Sequence, residues 1–216
     1  MTENMKLPLI GDMAPEFVAQ STQWTISFPT DYKGKWVVLF SHPADFTPVC
    51  TTEFIGFQNH YESFKAINTE LLWYSVDGIH SHIEWIKNIK KNFDITIEFP
   101  LLAGSQIAYL YGMLHPQADS SATVRAVFVI NPEGKIAAIM YYPLSNGRSV
   151  EEILRLVKAL QTTATHKRAT PENWPNNSIF GKKVIVPPAS TMAQSEENPA
   201  KYEHKDRYLC VEDINE

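Results

Sequence analysis

The sequence predicts a layered α/β domain built on a mixed β-sheet, and three observations carry that prediction. Short apolar runs typical of buried strands are separated by segments whose apolar residues recur every three or four positions, as on one face of a helix. Strands that alternate with helices favour a sheet with helices packed on it. A turn, "NPEG" at residues 131–134, joins two apolar runs directly, so an antiparallel hairpin adds to the sheet.

The predicted strands are nearly continuous in their hydrophobicity. They are "WVVLFSH" from residue 36, "LLWYSVD" from residue 71 and "VRAVFVI" from residue 124, which is followed across the turn by "KIAAIMYYP". Continuous apolar runs are typical of strands that are covered on both faces, whereas a half-exposed strand alternates. We therefore expect the sheet to lie in the interior.

The first predicted helix begins at Thr47-Pro48, because threonine is a good N-cap and proline is favoured at the first helical position. It is expected to run unbroken through "VCTTEFIGFQNHYESFKAI". A second helix covers "SHIEWIKNIKKNF", and a third covers "SVEEILRLVKAL" with Ser149 and Glu152 as a capping box. The predicted apolar side of the first helix consists of Phe54, Phe57, Tyr61 and Phe64. The predicted apolar side of the second helix consists of Ile83, Ile86, Ile89 and Phe93.

The composition changes near residue 165. The last fifty residues hold several prolines, one short apolar piece, "VIVPP", and a highly charged end. Such a segment lacks the apolar residues for a core of its own. The sequence therefore predicts a domain over residues 1–165 and an extended C-terminal arm over residues 166–216, which covers its own domain or dimerises with a neighbouring subunit.

Composition excludes several functional classes. With 216 residues, 44% of them hydrophobic, the chain can bury a substantial core. A net charge of −5 without a cluster of lysine and arginine argues against nucleic-acid binding. No window reaches the roughly 18 apolar residues of a membrane span, and no export signal opens the chain. Two cysteines 160 positions apart form no disulfide framework, so we expect a cytoplasmic protein.

Cys50 falls at the third position of the first predicted helix. Free backbone N–H groups and the positive end of the helix dipole favour an anion there, which makes a reactive thiolate plausible chemistry for this position. Ionisation has limited power, however. A thiol with an ordinary pKa of about 8.5 gains only about 30-fold in thiolate, roughly 2 kcal/mol, when it ionises fully at neutral pH. A nucleophile here needs a cationic donor that binds the electrophile.

Arg125 and Arg148 are the candidates for that donor. Arg125 is a charge in an otherwise apolar strand, and Arg148 precedes a helix start, where a positive charge is mildly unfavourable. Either could instead be a solvated arginine. Cys50, without further context, could be a small buried hydrophobe, and His42 a packed core histidine. His80 and His82 stand two positions apart at a helix start and do not share a helical face, so a metal site there is not expected.

The segment "SHPADFTPVCTTEF" resembles the active-site segment of peroxiredoxins, whose pattern Pro-x-x-x-Thr-x-x-Cys is met by Pro43, Thr47 and Cys50. Other stretches are similar to the branch with a long C-terminal arm, the one-cysteine type, so that the resemblance covers essentially the whole chain. These stretches are "SVD" at 75–77, "SHIEW" at 81–85, "VRAVFVI", "YYP" at 141–143, "GRSVEEILR" and "WPNN" at 174–177.

The resemblance implies a thioredoxin-like fold and the reduction of hydrogen peroxide or organic hydroperoxides. Cys50 would attack a peroxide oxygen and become a sulfenic acid, which a thiol such as a thioredoxin-like donor would reduce. Thr47 and Arg125 would bind the peroxide, Pro43 would shield the site, and Arg148 and His42 would support it. The family scheme needs no metal or cofactor, and it implies homodimers that close into a ring of five.

The role of Cys210 stays open at this point. Some members of the branch carry two late cysteines, of which the distal one resolves the sulfenic acid, and this sequence offers Cys210 alone. Cys210 could resolve Cys50, an external thiol could do so, or the two cysteines could form a structural disulfide. Two other functions are alternatives: a holdase-type chaperone, and a dithiol oxidoreductase, for which the required C-x-x-C pair is missing.

Overall fold

The computed structural model describes residues 7–119 and 121–214. The chain forms two compact units that divide after Val150. The predicted domains at 1–165 and 166–216 include residues 1–6, 120, 215 and 216, which lie outside the described residues, and the boundary at residue 165 stays a prediction.

The first unit is organised around a five-stranded sheet with the order β5-β4-β3-β6-β7. The pairs β3–β4 and β4–β5 are parallel, whereas β3–β6 and β6–β7 are antiparallel, which confirms the predicted mixed sheet and its hairpin. The elements are β1 (Phe17–Gln20), β2 (Thr25–Phe28), β3 (Trp36–Ser41), α1 (Pro48–Asn59), α2 (Tyr61–Lys65), β4 (Thr69–Tyr74), α3 (Ile79–Phe93), β5 (Leu101–Leu102), α4 (Gln106–Leu110), β6 (Arg125–Ile130) and β7 (Ile136–Tyr142).

The two faces of this sheet are covered by different elements. Leu39 of β3 lies in the apolar cluster that the β1–β2 hairpin and α4 complete on one side. On the opposite side Phe40 stacks on Phe57 of α1 with ring centroids 4.2 Å apart, and Trp73 of β4 meets Phe54 at 4.1 Å. Both β3 and β6 are buried along their whole length, as their continuous hydrophobicity predicts.

The first helix is shorter than predicted. It ends at Asn59, and α2 begins at Tyr61 after His60, whose backbone (φ −104°, ψ 2°) has left the helical region. The imidazole Nδ1 of His60 lies 2.8 Å from the carbonyl oxygen of Gly56, so a side chain provides a hydrogen-bond partner for a carbonyl at the helix end. The predicted apolar side is confirmed nonetheless, because its four aromatic residues are all buried.

The predicted α3 helix is confirmed, but its predicted apolar side is partly wrong. His82, Trp85 and Ile89 form the buried face, whereas Phe93 is 52% exposed. The side predicted from the isoleucines is displaced from the observed buried face by about one residue position. The prediction counted His82 as a polar, exposed residue, whereas His82 is fully buried.

The second unit holds more regular structure than the sequence predicts. It contains α5 (Val150–His166), β8 (Val184–Ile185), α6 (Met192–Lys201), β9 (Glu203–Asp206) and β10 (Leu209–Glu212), with the sheet order β8-β10-β9. These strands are only two to four residues long, and such short segments leave little periodic signal in a sequence. Nowhere in residues 7–119 and 121–214 does a helix combine the length and the apolar character that a membrane crossing requires.

Candidate active site

The site is built where β3 ends and α1 begins. Thr47 is the N-cap residue of α1 in an extended conformation (φ −105°, ψ 148°), Pro48 is the first helical residue, and Cys50 is therefore the third. The placement that the sequence predicts for these residues is confirmed. The first intrahelical bond runs from the N–H of Thr51 to the carbonyl of Thr47, so the N–H groups of the preceding turn point out of the helix end.

Cys50 and Arg125 meet although they are 75 positions apart. The guanidinium Nη1 of Arg125 lies 3.3 Å from the sulfur of Cys50. Both residues are buried, and Cys50 has 0% exposed surface. The antiparallel register of β3 with β6 accounts for the encounter, because Phe40 pairs with Val127 and the first residue of β6 is thereby carried past the end of β3 toward α1.

A buried carboxylate that the sequence reasoning missed joins the two arginines. The Glu53 Oε2 atom accepts hydrogen bonds from Arg125 Nη1 at 2.7 Å and Arg148 Nη2 at 2.8 Å. The Glu53 Oε1 atom accepts from the Nε group of Arg148 at 2.9 Å and from its backbone N–H at 2.7 Å. One signal was present: Glu53 follows Cys50 by three positions on a side of α1 that is otherwise aromatic.

The buried cluster holds two positive charges and one negative charge beside the sulfur of Cys50. Two guanidinium groups face a single carboxylate, so a neutral Cys50 would leave one positive charge in the buried cluster without a partner. Burial by itself would raise the pKa of Glu53, but the charges and hydrogen bonds of Arg148 and Arg125 outweigh burial and hold that pKa below its usual range. With Glu53 ionised, a thiolate at Cys50 brings the cluster to neutrality.

Arg148 contacts Glu53 and backbone carbonyls. Its Nη1 group donates to the carbonyl oxygens of Ser41 and Ala126, each at 2.9 Å, and its guanidinium carbon lies 5.4 Å from the ring centroid of Phe40. The sequence suggested that a positive charge before a helix start would be tolerated beside an anion, and Glu53 is the anion that it meets. Arg148 thus ties the ends of β3 and β6 to α1.

The Thr47 hydroxyl does not cap the helix. Its Oγ1 atom donates to the carbonyl oxygen of Ala44 at 2.8 Å, and no hydrogen bond to a helical N–H is made. A hydroxyl has one hydrogen and two lone pairs, so the oxygen remains available as an acceptor. Pro43, at the start of the same loop, is buried.

His42 belongs to a second buried cluster with Asp45 and His82. The Asp45 carboxylate meets His42 Nε2 at 2.9 Å through Oδ1 and His82 Nδ1 at 2.7 Å through Oδ2. The indole N–H of Trp73 donates to His42 Nδ1 at 2.5 Å. Asp45 and His82 were not predicted as site residues, and the sequence gives no periodic signal that would connect them across 37 positions.

The protonation states in this second cluster follow from its hydrogen bonds. Trp73 Nε1 can only donate and lies 2.5 Å from His42 Nδ1, whereas the carbonyl oxygen of Tyr74, which can only accept, lies farther from that nitrogen at 3.2 Å. The shorter contact assigns Nδ1 as the acceptor and places the imidazole proton on Nε2. Burial lowers the pKa of His42, which fits this neutral form. Burial would raise the pKa of Asp45, but hydrogen bonds from His42 and His82 outweigh it and hold the carboxylate ionised, with its pKa well below the usual range.

Three groups in this region could in principle hold a metal ion. Ligand atoms of His42, Asp45 and Asp77 lie within 4.8 Å of one another. They already bond to each other or to backbone: His42 donates to Asp45, and Asp77 Oδ2 accepts from the N–H of Asp45 at 3.1 Å. We therefore interpret them as a hydrogen-bond network. The histidines at positions 80 and 82 lie apart, since His80 is exposed and His82 is buried.

Cys210 lies in the second unit. It is 2% exposed on β10, the middle strand of the three-stranded sheet, and its sulfur is 3.7 Å from the carbonyl oxygen of Arg207. Both cysteines are free thiols in this structure.

The chain resembles known proteins over nearly its whole length. Residues 10–139 match the model of the AhpC/TSA family, and residues 159–198 match the model of the C-terminal domain of 1-Cys peroxiredoxin. A peroxiredoxin of Ignicoccus hospitalis is 54% identical over 209 residues, which cover 96% of this chain and 89% of that protein. The chain belongs to the peroxiredoxin family.

Two solved peroxiredoxin structures share the fold. The yeast mitochondrial 1-Cys peroxiredoxin matches with a TM-score of 0.82 and 36% identity over 95% of this chain and 99% of that one. The peroxiredoxin 6 of Arenicola marina matches with a TM-score of 0.81 and 32% identity over 94% of this chain and 96% of that one. The predicted thioredoxin-like fold is confirmed, and the protein is a thiol peroxidase, an oxidoreductase.

Proposed function

We propose that Cys50 is the peroxidatic nucleophile of this protein, and that Arg125 and Thr47 bind the hydroperoxide. The observation that carries the proposal is the 3.3 Å contact between Arg125 Nη1 and the buried Cys50 sulfur, in a cluster that lacks one negative charge until the sulfur ionises. A guanidinium beside the nucleophile can also stabilise the negative charge that develops on the departing oxygen.

The reaction uses the sulfur as the electron donor. The Cys50 thiolate attacks the oxygen of the hydroperoxide that carries hydrogen, a sulfur–oxygen bond forms, and the oxygen–oxygen bond breaks. The departing oxygen takes a proton from solvent, which balances the proton that the Cys50 thiol released on ionising, and leaves as water from hydrogen peroxide or as an alcohol from an organic hydroperoxide. Sulfur is oxidised to the sulfenic acid while the peroxide is reduced. No metal or organic cofactor takes part in this scheme.

The contacts of Arg125 and Thr47 support their roles. Four of the five N–H groups of Arg125 have partners: Nε and one Nη2 hydrogen are directed at the carbonyl of Leu144, and the two Nη1 hydrogens at Glu53 and Cys50. Within the part of the chain that the structure describes, the second Nη2 hydrogen has no partner, and it remains for a peroxide oxygen. Thr47 has given its own hydrogen to Ala44, so it is set to accept from the substrate's O–H group.

The remaining residues of the predicted site have supporting roles in this proposal. Arg148 fixes Glu53, which in turn fixes Arg125, while His42 holds the loop through Asp45. Pro43 excludes water from the sulfur, which is consistent with its burial.

The sulfenic acid must be reduced by a second thiol. Condensation of the two releases water and leaves a disulfide, which a further thiol reduces. In the similar yeast mitochondrial 1-Cys peroxiredoxin, the thiol is resolved via glutathione and thioredoxin systems. We propose a thioredoxin-like donor here, either directly or after resolution by Cys210. A buried Cys210 can react only if β10 opens locally.

The assembly and location complete the proposal. We propose homodimers that associate through the C-terminal arm and close into a ring of five dimers, in the cytoplasm. Sedimentation velocity on the reduced and oxidised protein tests the assembly, and a monomer in both states would contradict it.

The function is tested by replacing each cysteine in turn. Cys50→Ser is expected to abolish hydroperoxide consumption in the presence of a thiol donor, whereas Cys210→Ser is expected to retain the first turnover. A Cys50→Ser variant that consumes hydroperoxide at the wild-type rate would refute the proposal.

A second experiment tests Cys210. After one equivalent of hydrogen peroxide, non-reducing gels and peptide mass spectrometry of the wild type are expected to show a Cys50–Cys210 disulfide that Cys210→Ser lacks. If Cys50 is found as a sulfenic acid and the disulfide does not form, an external thiol reduces Cys50 and Cys210 does not. A disulfide present before peroxide and resistant to mild reductant would instead indicate a structural bond.

A further inference from the structure

The peptide group between Ala44 and Asp45 is held at both of its ends. Its N–H donates to Asp77 Oδ2 at 3.1 Å, and its carbonyl accepts the hydroxyl hydrogen of Thr47 at 2.8 Å. A peptide group is planar, so a partner that fixes the direction of the N–H also fixes the direction of the carbonyl. The position of Asp77 therefore determines where the Thr47 hydroxyl finds its acceptor.

Asp77 is itself held in place. Its Oδ2 atom accepts from the Ser75 hydroxyl at 2.7 Å, and its own N–H donates to the same hydroxyl oxygen at 3.2 Å. These bonds form a small ring directly after β4, the strand that neighbours β3 in the sheet. Asp77 is thus connected to the sheet rather than to the loop that it contacts.

The Asp45 side chain fixes the same peptide from the other direction. His42 Nε2 and His82 Nδ1 each bond to one of its carboxylate oxygens, and its side chain is almost fully buried. Among the described residues, His82 Nε2 is the buried side-chain polar atom without a partner. A hydrogen on that nitrogen would be a buried donor with nothing to bond, so the imidazole hydrogen is on Nδ1, facing Asp45.

The chain leaves this clamped peptide in a strained conformation. Phe46, which separates Asp45 from Thr47, is in the left-handed region with a φ of 54°. For a residue other than glycine this conformation is unfavourable, and it persists when surrounding contacts impose it. Contacts on both sides of Phe46, at Asp45 and at the helix start, impose it here.

We propose that Asp77, Asp45 and His82 are positioning residues for the peroxide reaction: they fix the Ala44–Asp45 peptide, and this peptide holds the Thr47 hydroxyl with its lone pairs available to the substrate. The proposal rests on the role proposed above for Thr47 and Cys50. It assigns Asp77 and His82, which lie on β4–α3 rather than on the cysteine loop, a function in orienting an acceptor for the O–H group of the attacked peroxide oxygen.

The first test compares Asp77→Ala with Asp77→Asn, because asparagine keeps an oxygen that can accept from Asp45. Asp77→Ala is expected to lower the second-order rate constant for hydrogen peroxide by about 10-fold or more, the loss of one hydrogen bond to a charged group. Asp77→Asn is expected to recover most of it. Asp31→Ala is the matched control, since Asp31 Oδ2 accepts a backbone N–H elsewhere in the unit, that of Ser27 on β2.

A second reaction separates orientation from general damage. Alkylation of Cys50 by iodoacetamide needs the thiolate but no acceptor at Thr47, so its rate, followed by peptide mass spectrometry, is expected to change by less than about 2-fold in Asp77→Ala. An equal loss of both reactions would overturn the proposal, as would a wild-type peroxide rate in Asp77→Ala or an equal loss in Asp31→Ala.

A double-mutant cycle completes the test. In a Thr47→Val background, where the hydroxyl is gone, Asp77→Ala is expected to lower the peroxide rate no further, whereas additive losses would overturn the proposal. If Asp77→Ala does not fold, His82→Leu and His82→Asn replace it. Asparagine keeps a donor near the position of Nδ1, and leucine does not. The same rate with hydrogen peroxide in both variants would overturn the proposal. Cys50→Ser tests the underlying function separately, since its loss of activity does not depend on the clamp.

Discussion

At the scale of single residues, the site is organised by one carboxylate between two guanidinium groups. Glu53 uses both oxygens to accept four hydrogen bonds, one from Arg125 and three from Arg148. Removing one partner of such a buried group leaves the others charged and unsatisfied. Glu53 therefore affects both the stability of the first unit and the direction in which Arg125 presents its free N–H.

We expect Glu53→Gln to destabilise the protein by about 3–5 kcal/mol and to slow the reaction with hydrogen peroxide, because the amide adds a donor where four donors converge. Urea unfolding and stopped-flow kinetics measure the two effects. The control is Glu84→Gln, which breaks an exposed pair with Lys87 and is expected to leave both quantities unchanged. Equal stability of the two variants would contradict this account of the cluster.

The buried histidine and carboxylates predict an acid-sensitive fold. His42 is neutral when folded and has a lowered pKa, so its contribution to stability is complete above its unfolded pKa of about 6.5 and decreases as the pH falls. Asp45 and Glu53 also have lowered pKa values, and their contributions decrease only below about pH 4.

The melting temperature is therefore expected to be flat from about pH 8 to pH 7 and to fall between about pH 6.5 and pH 5. Calorimetry of the wild type and His42→Asn across this range measures the effect, and the variant should show the shallower slope over that interval. Identical slopes for the two proteins would mean that another group titrates.

The residues of the site were predictable to very different degrees. Cys50 and Thr47 carry local signals, a cap followed by proline, and Arg125 is conspicuous as a charge in an apolar strand. Glu53 offered one signal, a charge on an otherwise aromatic side of α1, but its partners Arg125 and Arg148 lie 72 and 95 positions away. His82 meets Asp45 across 37 positions, and only the fold brings these two residues together. The role of a buried polar residue depends on what faces it, and sequence spacing does not contain that information.

At the scale of elements, α3 shows how a buried histidine can mislead hydrophobic periodicity. The buried face runs through His82, Trp85 and Ile89, because the bond between His82 and Asp45 directs this side of the helix inward. The position and length of the helix follow from its sequence, as do the buried strands. This polar contact acts together with apolar packing on the same face, where Trp85 stacks on Phe54 with ring centroids 4.6 Å apart.

We expect Ile89→Ala to cost about 2–5 kcal/mol in the free energy of unfolding, because it leaves a cavity in a fully buried position. Phe93→Ala removes a larger side chain from the same helix, but one that is half exposed, and is expected to cost much less. Chemical denaturation of both variants measures the difference. A larger loss of stability in Phe93→Ala than in Ile89→Ala would instead support the helix orientation predicted from the isoleucines.

At the scale of the whole molecule, the fold places the thiol in the interior of the first unit. The mixed sheet follows from the order of strands and helices, whereas the three short strands of the second unit were not foreseen, since none is longer than four residues. The same burial that excludes water from Cys50 also limits what can reach it.

We expect hydrogen peroxide to react at least about 10-fold faster than cumene hydroperoxide, a difference of about 1.4 kcal/mol in activation free energy. A bulky substituent must displace side chains that a molecule of nearly the size of water need not move. Stopped-flow measurements on Cys210→Ser give both rate constants with Cys50 as the sole thiol. Equal constants would show that the burial of Cys50 does not select substrates by size.

The absence of exposed sulfur at Cys50 also has a protective consequence. A thiolate on a protein surface is open to electrophiles of any size. The Cys50 sulfur is instead covered by close-packed side chains, which exclude large molecules more strongly than small ones. The protein can thus keep its reactive group intact during long intervals in which no peroxide arrives.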